Sequence, residues 1–394
     1  MSIKIANHLV AIPPSPTLAL SSAVKAKIAA GEDVIDLSAG EPDFPLPAAF
    51  AKGIREALDN GHTTYPPVAG IPALRQAIAK ELSARHGVTY TAEQISVGTG
   101  AKQPLALAFQ AVLNAGDEVI VPAPFWVSYV DQVRLCQATP VLISCGADTD
   151  YKLTSECLRA ALNAKTKAIV LGSPSNPTGA VYTADELRAL AVVLRDFPDV
   201  LIVADQIYDR LVYDGFDAPS ILRVMPELAE RTVIIDGVSK AYAATGLRLG
   251  WGAGPLPIIK TIATIQGHTT SGACSIVQHG ALAMLQAPER EKEIATMVAA
   301  YQKRRDALIA ALQPVAGLKI FKPAGAFYLW CDISKLLGTN YPDDAAFAKA
   351  LLDKKGLAVV PGSAFGAPGH IRMHFAAHDS VLAEAAKRLK EFVA

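Results

Sequence analysis

The chain has 394 residues, enough for one large folded domain and a smaller one. Apolar residues make up 51% and charged residues 19%, which is typical of a well-packed globular protein. Lysine plus arginine equals aspartate plus glutamate at 37 each, whereas a nucleic-acid or membrane-surface partner would favour a basic excess. The five cysteines form no C-x-x-C pair, the first residues resemble no targeting peptide, and no apolar run could cross a bilayer. We therefore expect a cytoplasmic protein that binds neither membrane nor nucleic acid.

The first two thirds of the chain read as an α/β fold. A helix is predicted where Ile71, Leu74, Ile78 and Leu82 recur at helical spacing, and Gly87 predicts its end. From about residue 95, short apolar runs alternate with helical patterns, which predicts a mostly parallel sheet covered by helices. The predicted strands are Ile95–Gly98, Glu118–Val121, Val141–Ser144, Ala168–Leu171, Val200–Ala204, Thr232–Ile235 and Leu247–Ala253. Among the helices between them, one is predicted to begin at a capping box formed by Thr183 and Glu186.

The pattern changes near residue 289. A charged, helix-prone stretch from Glu289 to about Leu312 precedes an α+β segment, whose predicted pieces are Lys319–Asp332, Ala346–Lys355, Ala358–Pro361, His370–Phe375 and a final helix. We predict an N-terminal arm at 1–45 that belongs partly to the small domain, a large domain at 46–290, and a small C-terminal domain at 291–394.

Several polar groups follow the predicted strands, where ligands bind in open α/β sheets. They are Asn176, Asp205, Tyr208, Lys240, Arg248 and the glycine-rich helix start Gly98 to Lys102. Each has a simpler explanation by itself, since Asp205 could cap a helix, Lys240 could be solvated and Asn176 could shape a turn. The glycines do not complete G-x-G-x-x-G, because Gln103 stands in the third position. Their convergence on one sheet edge favours a binding site.

Three histidines, His370, His374 and His378, have the spacing of metal ligands on a helix. Ile371–Phe375, however, reads as a strand, in which four residues span about 13 Å. We therefore expect no metal site.

Taken together, the motifs resemble class I aminotransferases of the aspartate aminotransferase family, which are pyridoxal-phosphate-dependent enzymes of fold type I. The matching segments, in the family's order, are Ser38 to Phe44, Tyr65 to Gly70, Trp126 to Tyr129, Ser173 to Gly179, Asp205 to Tyr208, Ser239 to Arg248, Gly325 to Tyr328 and Val360 to Gly366. They span nearly the whole chain. The resemblance is strongest to the branch that uses a lysine for the second carboxylate of the substrate, as in bacterial aspartate/prephenate aminotransferases.

The resemblance implies a role for each residue around the cofactor ring. Lys240 would form the Schiff base with pyridoxal 5'-phosphate and move the proton at the substrate's α carbon. Asp205 would pair with the pyridinium nitrogen and keep it protonated. Tyr208 and Asn176 would hydrogen-bond the phenolic oxygen, and Trp126 would stack on the ring.

The remaining implied roles concern the phosphate, the substrate and a second subunit. The phosphate would lie at the helix start formed by Gly100, Ala101 and Lys102, with Arg248 and Ser239 beside it; Gly237 stands where some relatives carry a phosphate-binding serine. The substrate's α-carboxylate would bind Arg372, joined by Asn176, Gly40 and Trp126. Tyr65 resembles the tyrosine that reaches the neighbouring subunit's phosphate, which implies a homodimer.

The expected reaction is amino transfer from an L-amino acid to a 2-oxo acid, with aspartate or glutamate as donor. Lys102 would bind the distal carboxylate together with Ser15 and Thr17, or serve only the phosphate. Aromatic or prephenate-like substrates are the second choice, since a lysine gives a point charge and not a fork. Three alternatives stay open: a β-elimination lyase on the same scaffold, a nicotinamide-dependent dehydrogenase and a non-catalytic regulator. A requirement for a 2-oxo acid would distinguish amino transfer from the lyase reaction. A yellow protein that loses its colour on treatment with a carbonyl scavenger would exclude the dehydrogenase.

Overall fold

The computed structural model describes residues 3–10 and 12–394, which form thirteen strands and fourteen α-helices. The strands are β1 Ile35–Asp36, β2 Ile95–Thr99, β3 Glu118–Ala123, β4 Thr139–Ser144, β5 Thr166–Gly172, β6 Leu201–Asp205, β7 Thr232–Gly237, β8 Leu249–Ala253, β9 Lys319–Phe321, β10 Tyr328–Asp332, β11 Leu357–Ala358, β12 Val360–Pro361 and β13 His370–His374. The helices are α1 Asn7–Val10, α2 Pro16–Ala29, α3 Ala48–Asp59, α4 Pro72–His86, α5 Lys102–Val112, α6 Ser128–Leu135, α7 Ser155–Ala161, α8 Ala184–Arg195, α9 Ile221–Val224, α10 Leu256–Thr269, α11 Ser275–Gln286, α12 Arg290–Leu312, α13 Asp344–Lys355 and α14 Asp379–Val393.

A seven-stranded sheet forms the centre of the fold, in the order β2-β8-β7-β6-β5-β3-β4. Its pairs are parallel except those of β8, which runs antiparallel to both β2 and β7. The predicted mostly parallel sheet is confirmed, and all seven predicted strands lie in it with their ends shifted by at most a few residues.

Helices cover both faces of this sheet, and alternate strand residues therefore lie in two different hydrophobic clusters. Ile202 and Ala204 of β6 join one cluster, to which α4, α8 and α11 contribute. Leu201 and Val203 join the other, to which α5, α6 and α10 contribute. Every residue of β6 is buried. The apolar runs predicted as doubly covered strands are therefore confirmed.

The local signals at helix ends are also confirmed. Gly87 ends α4 in the left-handed conformation, with φ 72°, as the sequence predicts for a terminal glycine. Thr183 and Glu186 form the predicted capping box: the Thr183 hydroxyl accepts a hydrogen bond from the Glu186 N–H, and the Glu186 carboxylate accepts one from the Thr183 N–H.

The C-terminal segment forms a smaller antiparallel sheet in the order β12-β13-β10-β9. A separate hydrophobic cluster packs around it and takes in Met297 and Tyr301 of α12. The strand β1 near the N-terminus pairs in parallel with β11, so the N-terminal segment contacts this part of the chain as predicted. The same cluster takes in Tyr208 and Leu211, which come from the middle of the chain. The domain boundaries at 45/46 and 290/291 stay a prediction.

Two further details bear on the sequence predictions. His370 and His374 lie at opposite ends of β13, so the predicted extended conformation is confirmed. No described helix combines the length and the apolar composition that a bilayer span needs.

Candidate active site

A cavity of about 570 Å³ lies at the carboxyl ends of β5 and β6 and is closed by segments from both ends of the chain. Its lining contains the predicted residues Gly40, Ala101, Lys102, Trp126, Asn176, Asp205, Tyr208, Ser239, Lys240, Arg248 and Arg372. The fold therefore brings together residues that are up to 332 positions apart in the sequence, from Gly40 to Arg372. Gly100 lies directly beside this lining, whereas Tyr65 does not reach it in its own chain.

Lys240 lies three residues after the end of β7, and its side chain enters the cavity. Its Nζ donates a hydrogen bond to the carbonyl oxygen of Gly40. Burial lowers the pKa of Lys240 to about 8, against the opposing effect of Glu41, and Arg372 and Arg248 lower it further. A lysine with such a pKa is partly neutral at physiological pH and can act as a nucleophile or base.

Asp205 is the last residue of β6 and is buried at the floor of the cavity. Its Oδ2 accepts a hydrogen bond of 2.7 Å from the Tyr129 hydroxyl, and its Oδ1 accepts one of 3.2 Å from the Ile207 N–H. Burial nevertheless raises the pKa of Asp205 to about 6, and the charge of Asp236 adds to the rise. Because a buried carboxylate is stabilised by a nearby cation, this position suits a protonated ring nitrogen.

Arg372 lies on β13 and is also buried. Its Nη1 donates to Asn176 Oδ1 at 2.9 Å and its Nη2 to the Ser38 carbonyl oxygen at 2.5 Å. Its Nε has no acceptor among the described residues. The guanidinium carries no carboxylate partner in these contacts, so it suits an incoming anion.

Two tyrosines that the sequence interpretation left without a role complete the walls. The Tyr328 hydroxyl lies 2.6 Å from that of Tyr208, and Tyr129 anchors Asp205. A Cβ on Gly40 would lie 2.6 Å from the Tyr328 hydroxyl oxygen, so a larger residue there would have to displace this tyrosine. Both tyrosines stand inside the matching segments, and that position in the sequence is the one signal that could have identified them.

Trp126 lies at the side of the cavity, where its ring meets that of Tyr129 edge-on at 5.4 Å. The Nζ of Lys102 lies 5.0 Å from the centre of the Trp126 ring. Lys102 forms no ion pair with any described residue. Burial lowers its pKa, and Arg248 lowers it further.

The corner around the start of α5 depends on three glycines. Gly100 has φ 73°, and a Cβ on it would collide with the Arg248 guanidinium. A Cβ on Gly250 would collide with the backbone of Ala101. Arg248 and Ser239 line the cavity together with Ala101 and Lys102 at the start of this helix, where backbone N–H groups are free, so this corner suits a phosphate. A Cβ on Gly237 would lie 2.8 Å from Gly250 Cα, which explains the glycine where some relatives carry serine.

Tyr65 lies on the surface with 94% of its area exposed. It does not line the cavity of its own chain.

These groups fit the chemistry of pyridoxal 5'-phosphate. The cofactor has a basic ring nitrogen, an aldehyde and a phosphate, which match the buried Asp205, the lysine of lowered pKa at position 240, and the corner formed by Arg248 and the α5 start. The glycines at 100 and 250 let the Arg248 guanidinium and the backbone at the start of α5 approach closely in that corner.

Known proteins are similar to this chain in sequence and fold over nearly their whole length. The family described as aminotransferase class I and II matches residues 32–389. The aspartate/prephenate aminotransferase of Cereibacter sphaeroides is 44% identical over 99% of this chain and 98% of its own. The aspartate aminotransferase of Bacillus subtilis is 41% identical over 99% of each.

Solved structures agree with the sequence relatives. The aspartate aminotransferase from Rhizobium meliloti superposes with a TM-score of 0.95 at 37% identity, covering 100% of this chain and 99% of that one. The Thermus thermophilus aspartate aminotransferase, solved with maleate, gives 0.94 at 37% identity, covering 99% and 100%. With the lysine, the buried aspartate and the arginines gathered in one cavity, the chain belongs to the class I and II aminotransferases, which use pyridoxal 5'-phosphate to move an amino group from an amino acid to a 2-oxo acid.

Proposed function

We propose that this aminotransferase takes aspartate or glutamate as its amino donor. The observation that carries the proposal is that Arg372 and Lys102 both line the cavity and that neither has a carboxylate partner among the described residues. The guanidinium of Arg372 suits the α-carboxylate, because its fork can donate two parallel hydrogen bonds. Lys102 then binds the second carboxylate. A related enzyme, that of Thermus thermophilus, was solved with the dicarboxylate maleate.

The hydroxyl groups at the start of α2 support this assignment. Ser15 and Thr17 line the cavity together with Lys102, and their side-chain oxygens lie 3.1 Å apart. Hydroxyls beside an ammonium group can donate to the oxygens of a carboxylate that the ammonium attracts. We therefore propose that Lys102, Ser15 and Thr17 bind the distal carboxylate together.

The same proposal gives the other cavity residues their roles. When bound, pyridoxal phosphate accepts the electron pair left on the substrate's α carbon. Lys240 is the covalent attachment point and moves the proton at that carbon. Asp205 keeps the ring nitrogen protonated, Tyr208 and Asn176 donate to the ring's phenolic oxygen, and Trp126 covers one ring face. Arg248, Ser239 and the N–H groups at Gly100 and Ala101 hold the phosphate.

Aromatic or prephenate-like substrates form a second candidate class. Lys102 is solvent-accessible and offers one point charge on a flexible stem, so it can turn away from an apolar side chain. The relative from Cereibacter sphaeroides is named for both aspartate and prephenate. A panel of amino acids against oxaloacetate, pyruvate and 2-oxoglutarate would rank the two classes.

We expect Lys102→Met to reduce kcat/KM for aspartate by roughly ten- to a hundredfold, since a hydrogen bond to a charged group contributes about 1.5–3 kcal/mol. The value for phenylalanine should change by less than about threefold, because that substrate has no distal carboxylate. Lys25→Met is the matched control: Lys25 is another exposed lysine of the same lining, from α2. Equal losses for aspartate and phenylalanine in Lys102→Met would assign Lys102 to the cofactor and refute its role in specificity.

We further propose a homodimer in which Tyr65 serves the partner's site, supported by its 94% exposure away from its own cavity. Mixing inactive Lys240→Ala and Tyr65→Ala subunits distinguishes the arrangements. If Tyr65 acts across the interface, each hybrid has one site with both residues intact, and random exchange restores about a quarter of wild-type activity. If Tyr65 acts within its own chain, every hybrid site carries a defect and the mixture stays inactive. A fully active monomer in sedimentation would also refute the dimer.

A cytoplasmic location is the last part of the proposal. All five cysteines lie in the described part of the chain and carry free thiols, two of them, Cys145 and Cys331, buried. Free thiols persist in a reducing compartment.

A further inference from the structure

A chain of ion pairs lies outside the cavity and connects four parts of the fold. Its basic members are Arg85, Arg210 and Arg290, and its acidic members are Glu81, Asp209, Asp236 and Glu291. We call these seven residues the arginine network. All except Glu291 have side chains at most 18% exposed, so the charges are held against each other and not solvated. The network joins α4, the segments after β6 and at the end of β7, and the start of α12.

Arg85 occupies a special place in this network because both of its closest carboxylates belong to segments of the active site. Its Nη1 lies 3.1 Å from Asp236 Oδ2, and its Nη2 forms an ion pair with Asp209. Asp236 precedes Lys240 by four residues, and Asp209 directly follows Tyr208. One guanidinium therefore bridges the segment of Lys240 to the segment of Asp205 and Tyr208.

Both carboxylate-bearing residues are also tied to the backbone of their own segments. Asp236 Oδ1 accepts a hydrogen bond of 2.7 Å from the Gly237 N–H. Gly237 packs so closely on Gly250 that no Cβ would fit without a shift. The Asp209 N–H donates to the Gln206 carbonyl oxygen at 3.0 Å. A shift of either carboxylate would therefore move the chain that leads to a cavity residue.

The charge of Asp236, which Arg85 pairs with, also reaches the cavity. Burial raises the pKa of Asp236, and Arg85 opposes that rise. The charge of Asp236 in turn raises the pKa of Asp205. Removing the positive charge of Arg85 or the negative charge of Asp236 would thus change the potential at the cavity in opposite directions.

We propose that Arg85 is a positioning residue of this aminotransferase, which fixes the Tyr208 segment against the Lys240 segment and balances the buried charges of Asp209 and Asp236. The proposal rests on the roles proposed above for Lys240, Asp205 and Tyr208. Arg85 itself does not line the cavity, so it acts through its two carboxylates.

The visible absorption of the bound cofactor is measured in the holoenzyme as a function of pH. The values of kcat and KM for aspartate are measured for the same variants. Arg85→Met should move the midpoint of that titration upward by about 0.5 pH or more, since the loss of a cation favours protonation nearby. Asp236→Asn should move it downward by a similar amount. The pH midpoint of Arg85→Lys should stay near that of the wild type, because the positive charge is kept. The charged groups that face Lys240, namely Glu41, Asp205, Arg248 and Arg372, are unchanged in all variants.

Positioning also has a kinetic consequence. In Arg85→Met, kcat should fall roughly ten- to a hundredfold, the usual cost of a misplaced reacting group, while KM for aspartate changes less than about twofold. Arg290→Met is the matched control. Arg290 has the same 18% side-chain exposure and pairs with Glu81 and Glu291, but it contacts neither Asp209 nor Asp236. It should lower the thermal midpoint like Arg85→Met and leave the pH midpoint in place.

The outcomes separate this proposal from the proposed function. Unmoved pH midpoints in both Arg85→Met and Asp236→Asn, or shifts of the same sign, would overturn the role of Arg85. If Arg85→Met does not fold, the downward shift in Asp236→Asn and the retained midpoint in Arg85→Lys decide the question. A wild-type holoenzyme without any cofactor linkage at Lys240 would instead refute the proposed function.

Discussion

Lys240→Ala should reduce turnover by about 10⁴-fold or more, because positioned proton transfer alone is worth ~10²–10⁴-fold and the covalent attachment is lost as well. The remaining cavity should still bind pyridoxal phosphate, since Asp205, Arg248 and the start of α5 are untouched. Spectroscopic titration of the variant with the cofactor would measure this binding, and half-reactions with aspartate would measure turnover.

Two comparisons make this expectation specific. Lys102→Met removes another lysine of the same lining and should retain turnover with phenylalanine, so a loss in both variants alike would speak against a special role of Lys240. Addition of a small primary amine should partly restore proton transfer in Lys240→Ala, because the amine can occupy the space left by the side chain. A Lys240→Ala enzyme within tenfold of wild type would refute the assignment.

Asp205→Ala should reduce kcat by about 10³-fold. An ion pair at ~4 Å and an effective dielectric of ~20 is worth about 4 kcal/mol before desolvation, and each 1.4 kcal/mol is about tenfold in rate. Asp205→Asn is the sharper variant, because an amide can still accept the hydrogen bond of the Tyr129 hydroxyl while the charge is gone. Activity within tenfold of wild type in both variants would show that Asp205 is a structural group.

The same residue gives a prediction about stability without the cofactor. The folded pKa of Asp205, about 6, lies above the ordinary value of 3.8, so the folded state binds this proton more tightly than the unfolded state. The protonated carboxyl therefore stabilises the folded state, and this stabilisation is fully present below about pH 4. It is lost as the pH rises through about 6, and the loss is roughly 3 kcal/mol at neutral pH. Urea unfolding of cofactor-free Asp205→Asn should therefore show a gain in stability over wild type that grows from pH 5 to pH 8. A constant difference would contradict the raised pKa.

Most of the main sheet could be predicted from the sequence because buried strands leave a local signal. The direction of β8 could not be predicted in this way. Eleven residues separate β7 from β8, and they contain only one short helical turn, Thr245–Leu247. A parallel crossover needs a dozen or more residues and usually a full helix. Reading the length of that connection would have indicated the antiparallel pair.

The partners of the site residues were harder to predict than the residues themselves. Tyr129 and Asp205 are 76 positions apart, and Tyr208 and Tyr328 are 120 apart, so no local pattern pairs them. A tyrosine in an apolar run looks like a core residue until the fold shows which polar atom its hydroxyl meets. Arg85 gave no signal at all, because an arginine near a helix end is usually solvated.

Reduction of the holoenzyme with borohydride, followed by peptide mapping, tests the central claim most directly. The reduced linkage fixes the pyridoxyl group on the lysine that carries the cofactor, independently of any kinetic measurement. The label should be found on the peptide that contains Ser239 and Lys240. A label on Lys102, Lys25 or any other lysine would contradict the assignment of the site.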